Sequence, residues 1–324
     1  MCDSDTTAGR PGGSAWIARA CQPDFMVSWV LSPLAASVRQ VLSGTTDGQS
    51  PIVRRIEEPP GAPGWFTPGD DIWTVHGSVA TFLGGIRSLL LQALHPLALA
   101  GVDRHSSYRD DPFGRLQNTG AFIAATTYGS ADLAQSTVAA IGRMHDRVQG
   151  SLSDGRTYSA RDPRLLEWVH VALVDSMLTA YLEFGHNGPI SADGYVADMA
   201  VVGAAMGVVD PPRSHGELTA RIDGFRPELS GGAEARQMRD FIMSAPLPLA
   251  LQPGYGVLAR AARDTLPDWA VHLLGDQPAG APARRARAVV ADSALRTLSF
   301  ALVRSPAQAA GERRLAGAGL VVGP

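Results

Sequence analysis

The segment DPFGRLQNTGAF, residues 111–122, places Arg115, Asn118 and Thr119 at i, i+3 and i+4, so that a helix carries all three on one face. Phe113, Leu116, Phe122 and Ile123 accompany them and predict a helix that is largely buried. A guanidinium turned inward on such a helix needs an anion or a bound polar ligand beside it. A second chemical residue, His145, stands in AAIGRMHDRVQG, residues 139–150. Leu133, Val138, Ile141, Met144 and Val148 mark the expected buried stripe of that segment, and His145 falls on it or at its margin. A histidine in such a place is either a satisfied core residue or a ligand.

Three more histidines lie close to apolar segments. His170 sits in EWVHVALVDS among Leu166, Leu173 and Val174, while His95 and His105 bracket the short connection LHPLALAGVDRHS. Four such histidines out of eight point to a metal or haem centre, although no HxxxH or CxxC spacing supports one. Glu167–His170 and Glu183–His186 both read E-x-x-H, the unit that di-iron bundles use twice. Sixteen residues apart on one helix, the two units point ~160° away from each other and lie ~24 Å apart along the axis. They cannot share a site.

Composition removes other chemistries. All 28 basic residues are arginine, so there is no lysine for a Schiff base, a pyridoxal phosphate anchor or a phosphate-binding P-loop. Cys2 and Cys21 are too few for a disulfide framework or a zinc site. A net charge of -3 gives no reason to expect nucleic acid or an anionic membrane. No basic, then apolar leader opens the chain, and no uncharged apolar run of about 18 residues is evident, so a cytoplasmic protein without a transmembrane segment is expected.

The elements that must position these residues read as helices. Apolar residues from Ile72 to Leu94 recur at spacings of three and four, predicting one helix over 71–94 that Pro96 ends or kinks. Further helices are expected from Asp111–Pro112 to about 126, from the N-cap Ser130 to Gly150, and from Asp162–Pro163 to Phe184, closed by Gly185. Shorter ones are expected at 191–208, 215–224, 232–244, 254–265 and 267–274, with a long last one over 283–303. Asp110 and Asp111 are expected to cap the 111–126 helix. Alternating strand patterns and internal repeats are absent. The fold class is therefore all-α, with an N-terminal extension over 1–68, loose over 1–14 and helical later, one main domain over 69–304, and a flexible tail over 305–324.

The blocks GGIRSLLLQALHPLALAGVDRHSSYRDDPFGRLQNT, MHDRVQG and GRTYSARDPRLLEWVH, in that order, resemble the catalytic domain shared by rubber oxygenase (latex-clearing protein) and the mycophenolic-acid-pathway oxygenase of the MpaB type. The resemblance spans about residues 70 to 275. It implies a single globin-like helical bundle enclosing b-type haem held by one axial histidine, with an Arg-x-x-x-Thr pair on the opposite side some thirty residues earlier. Carried over, the pair is Arg115 and Thr119, and the iron ligand is His145. Asn118 takes the place of a lysine that caps the iron in rubber oxygenase, so no lysine-ligated resting state is expected. The family's glutamate base has no clear match, and Asp103 and His105 are the nearest replacements.

The same resemblance implies dioxygen and a small hydrophobic, isoprenoid-like substrate, with oxidative C=C cleavage as precedent. Arg104, Arg109, Arg143 and Arg147 are the available partners for haem propionates. His95 and His170 become structural residues around the cofactor site, and the carbonyl of Ile141 or the carboxylate of Asp146 becomes the acceptor that orients His145. Peroxygenase, hydroxylase or desaturase chemistry would use the same site. A haem-binding sensor or carrier, and a haem-free helical protein, are the non-enzymatic alternatives.

Overall fold

A computed structural model describes residues 36–41, 43–47, 49–302 and 304–317. The expected loose stretch 1–14, Cys2 and Cys21 lie outside the described residues. The fold is all-α. Its helices are α1 (Pro51–Glu57), α2 (Asp71–His76), α3 (Ala80–Gln92), α4 (Pro96–His105), α5 (Pro112–Tyr128) and α6 (Ala131–His145). After a small hairpin come α7 (Pro163–Phe184), α8 (Ala192–Met206), α9 (His215–Phe225), α10 (Ala233–Met243), α11 (Gln252–Asp264), α12 (Asp268–Leu273), α13 (Ala281–Leu302) and α14 (Pro306–Ala316). The hairpin pairs β1 (Gln149–Ser151) with β2 (Thr157–Ser159) antiparallel, Gly150 opposite Tyr158.

At the centre, α3 packs along α7 in the most extensive helix pair. Trp168, Val171, Val174, Met177, Leu178 and Tyr181 turn the buried side of α7 inward at helical spacing. Gly84 permits the close approach, since a side chain there would meet Met177 Sδ at 2.9 Å. Polar contacts stitch the interface at two places: Arg87, 2% exposed, donates to Asp175 Oδ2 at 2.6 Å and to Ser176 Oγ at 2.8 Å, and Trp168 Nε1 donates to the Gln92 carbonyl at 3.4 Å. By length and composition α7 could cross a membrane, yet 67% of its apolar window is buried inside the fold, as a bundle's core helix should be.

Four expectations are corrected. The helix predicted over 71–94 is two, α2 and α3, because the chain turns at Gly77 and restarts after Val79. The stretch LHPLALAGVDRHS is no mere connection: it is α4, bent 109° from α3 at Pro96. The helix that opens after Ser130 stops at His145 and not at Gly150, since residues 149–151 leave it to pair with 157–159.

The tail expected to be flexible forms α14 over 306–316 and packs on α1 and α5. Its Arg314, 1% exposed, donates to the carbonyls of Tyr128 (2.9 Å) and Gly129 (3.2 Å) and to that of Ala62. One arginine therefore satisfies carbonyls that the end of α5 leaves open.

Candidate active site

Helices α5 and α6 are joined by only Gly129 and Ser130 and pack on each other, so they form an antiparallel helical hairpin. Ser130 starts α6 by accepting from the Leu133 amide at 3.3 Å. Arg115 lies 13 residues before the end of α5 and His145 lies 14 residues after the start of α6. At 1.5 Å per residue both sit about 20 Å along their helices from the turn, and the Arg115–Ser106, His105–Tyr158 and Ala160–Val148 bonds tie these two remote ends into one region, the open end of the hairpin.

His145 is the last residue of α6, where the helix dipole tolerates a polar ring. It is half-buried, and its ring makes no hydrogen bond among the described residues. Burial, followed by the nearby charge of Arg161, lowers its pKa; Asp146 opposes the shift. The imidazole is thus neutral at pH 7, the form that ligates iron. Neither expected acceptor holds it. Asp146 accepts from Arg161 Nε at 2.7 Å instead, and Arg161 reaches that place by lying over Gly142, whose missing Cβ would be 2.9 Å from Nη2.

Arg115 follows the N-cap Asp111, whose carboxylate accepts from the Gly114 amide at 2.9 Å; Asp110 does not cap the helix. The guanidinium donates to Ser106 Oγ at 2.6 Å and pairs with no carboxylate among the described residues. Burial lowers its pKa. A partly desolvated cation with one neutral hydroxyl for company has room for an anion or a polarised ligand. Thr119, one turn on, donates to the Arg115 carbonyl at 3.0 Å. Thr119 and Asn118 are exposed, and the Asn118 side chain makes no hydrogen bond among the described residues.

The expected buried faces are not buried at this end. Leu116 is 42% exposed and Met144 55% exposed, whereas the closed part of α5 is Ala124 to Tyr128. Nothing lies within 4 Å of where a side chain at Gly120 would be. The open end of the hairpin therefore offers apolar side chains, a bare imidazole and an unpaired guanidinium to whatever binds there.

The remaining sequence candidates divide by what already holds them. Arg109 is committed to Asp103 Oδ1 at 2.7 Å, and Arg104 to the Ser151 carbonyl at 2.5 Å. The side chains of Arg143 and Arg147 are exposed and make no hydrogen bond or ion pair among the described residues. Asp103 also accepts from Tyr108 at 2.7 Å; that bond, with Arg109, holds its carboxyl below the usual range and makes it a poor proton acceptor. His105 Nε2 meets the Tyr158 hydroxyl at 3.1 Å.

His95 lies at the far end of α4, buried against Trp168 and Phe225, with Glu228 Oε2 3.6 Å from Nε2. Burial lowers its pKa, and Glu228 works against that shift. His170 is buried in α7 against Gly203 of α8, its Nε2 without a partner, and burial pushes it down to about 4. The two E-x-x-H units stay apart: Glu167 is held by Arg164 and Arg221, and His186 lies beyond the end of α7, paired with Asp292 at 2.7 Å. No metal-holding cluster of His, Cys, Asp or Glu occurs among the described residues.

Sequence reasoning passed over one histidine. His76 is part-buried between the Thr127 hydroxyl (2.7 Å) and the Tyr195 hydroxyl (3.1 Å), and burial pushes it down to about 3. The signal was its i+3 spacing from Trp73 on the apolar face of α2.

The order of these segments along the chain matches one known family. The model of the catalytic domain of ER-bound oxygenase mpaB/B' and rubber oxygenase matches residues 73–298, most of the chain. The chain belongs to this family. It is thus an oxygenase-family catalytic domain, and the match contains α3 to α12 whole, with every residue of the open hairpin end. No curated protein and no solved structure gives a match.

Proposed function

We propose that this oxygenase-family domain binds b-type haem at the open end of the α5–α6 hairpin and oxidises a small apolar substrate with dioxygen. The observation that carries the reading is the neutral, half-buried ring of His145, bare of hydrogen bonds at the end of α6. A single imidazole is a sufficient protein ligand for haem iron, so the want of a multi-residue metal cluster is no obstacle. The donor set fits the group: His145 for the iron, and the unpaired Arg143 and Arg147 for the propionates. Arg104 and Arg109 have their partners already.

When bound, haem supplies a ferrous iron able to activate dioxygen. The chain supplies the rest. Arg115, partly desolvated and fixed by Ser106, would hold positive charge where the reduction of dioxygen builds negative charge, and the Thr119 hydroxyl would join it on giving up its bond to the Arg115 carbonyl. Leu116 and Met144 offer an apolar wall to a substrate without charge. Cleavage of an isoprenoid C=C bond to carbonyl products is the reaction we assign, following the family to which the chain belongs. Asp103, held ionised by Tyr108 and Arg109, is not given the role of base.

The test is an absorption spectrum. The purified protein, or the protein mixed with haemin, is expected to show a Soret band that His145→Ala removes or shifts. Arg115→Ala is expected to keep the band and lose oxygen consumption with an isoprenoid alkene. A colourless protein that takes up no haemin sinks the proposal.

A further inference from the structure

Between the segment that carries His145 and the segment that holds Arg115 lies a pair of residues to which neither the family match nor the proposed chemistry gives a task. Tyr158 of β2 is 4% exposed, and its ring is enclosed from several directions. A side chain added at Gly150 would run into its hydroxyl at 2.5 Å, and one at Gly101 would touch its ring at 3.8 Å. The Arg104 guanidinium stands 5.9 Å above the ring. The hydroxyl meets His105 Nε2 at 3.1 Å, and the two rings stand edge to face at 6.0 Å.

Both ends of this contact lead straight into the candidate site. On one side, His105 is the last residue of α4, and the next residue, Ser106, accepts from Arg115. On the other, Ala160, two residues beyond Tyr158, donates to the Val148 carbonyl at 2.9 Å, and Val148 donates to the His145 carbonyl at 3.0 Å. Asp146 is tied to Arg161 on the same strand exit. Residues from α4 and from the α6–β1 connection thus converge on one phenol.

We propose that Tyr158 and His105 form a strut that sets the end of α6, with His145, relative to the Ser106–Arg115 pair, and that both are positioning residues for the site. His105 therefore has a structural duty that competes with any role as base, because its Nε2 is engaged. The value of such a strut is pre-organisation: two groups that must act on one small molecule lose effect quickly when their separation drifts by an ångström. The consequence for catalysis rests on the haem reading, whereas the mechanical coupling does not.

The experiment uses the full chain and Tyr158→Phe, which keeps the ring and removes only the hydroxyl, together with His105→Ala and His105→Gln. Hydrogen exchange is followed by mass spectrometry in peptides covering 104–111 and 143–150, with α7 as an internal control. Haem-loaded samples are examined for the ferrous iron–imidazole stretching band. Tyr158→Phe and His105→Ala are expected to speed exchange about tenfold in both segments together but not in α7. The stretching band should shift in both variants, and His105→Gln should restore it in part by reaching the phenol with an amide.

Faster exchange confined to 143–150 overturns the strut, and so does an unmoved band in a protein that binds haem. Coupled exchange in a chain that takes up no haemin supports the strut and removes the haem reading instead.

Discussion

Two partly or fully buried arginines should respond to very different extents to the same substitution, and the contrast separates scaffold from site. Arg87→Met removes three hydrogen bonds from a charged donor, to Asp175, Ser176 and the Thr265 carbonyl, and leaves the carboxylate of Asp175, 16% exposed, without its cation. Breaking one partner of a buried ion pair costs about 3–5 kcal/mol. Arg115→Met removes a single bond, to the Ser106 hydroxyl, and strands no carboxylate. The lost bond from a charged donor is worth about 1.5–3 kcal/mol, but the desolvation of an unpaired cation, reduced because Arg115 is only partly buried, is relieved at the same time. The net change is therefore within about 1 kcal/mol of zero. At ~2 °C per kcal/mol for a chain of this size, the melting midpoint of Arg87→Met should fall by ~6–10 °C, and that of Arg115→Met by no more than ~2 °C. Differential scanning calorimetry of the haem-free proteins reads both, and oxygen consumption should be lost in Arg115→Met. A fall of more than ~6 °C in Arg115→Met would show that its guanidinium serves the fold, and the argument that it is kept for a ligand would fail.

Gly203→Ala is expected to destabilise the fold by about 2 kcal/mol in urea titrations, because the new Cβ would lie 2.6 Å from Cε1 of the buried His170 ring and overpacking outweighs the gain in helix propensity; a neutral or stabilising result refutes the close packing of α7 on α8. Acid should weaken the protein well before its ordinary exposed carboxylates titrate. His76 and His170 are held neutral to about 3 and about 4 in the fold, whereas an unfolded imidazole takes its proton near ~6.5. Their contribution is thus complete above ~6.5 and is lost as the pH falls from there towards 4, at up to ~1.4 kcal/mol per pH unit for each. Asp198, pushed up to about 6 by burial, has the opposite sign: its contribution is present below ~4 and lost as the pH rises through 6. Asp198→Asn should therefore raise the melting midpoint at pH 8 and not at pH 4, and a midpoint that does not fall between pH 7 and pH 5 would contradict the burial of the two histidines.

What the sequence determined by itself was local or repetitive. The helices over 163–184, 192–206 and 215–225 are legible because their apolar residues recur at helical spacing and their ends carry Asp162–Pro163, Ser191 and Ser214 as caps. The family blocks point to Arg115, Thr119 and His145, and composition excludes lysine chemistry outright. Local pattern failed where a distant partner decides. The Ala- and Gly-rich stretch after Ser305 looks loose until Arg314 finds the open carbonyls of α5, more than 180 residues away. Met144 and Leu116 look like core residues until the hairpin opens at that end and leaves them exposed.

Only the tertiary structure decided which charged groups are spent and which are free. Arg109 and Arg104 are equivalent to Arg143 and Arg147 in sequence, but the first two have partners in Asp103 and Ser151 while the others have none among the described residues. Helix formation is governed by bonds four residues apart, which a sequence displays directly. The pairing of a buried ring or a guanidinium depends on what the fold brings within 3 Å of it, and no spacing along the chain records that distance.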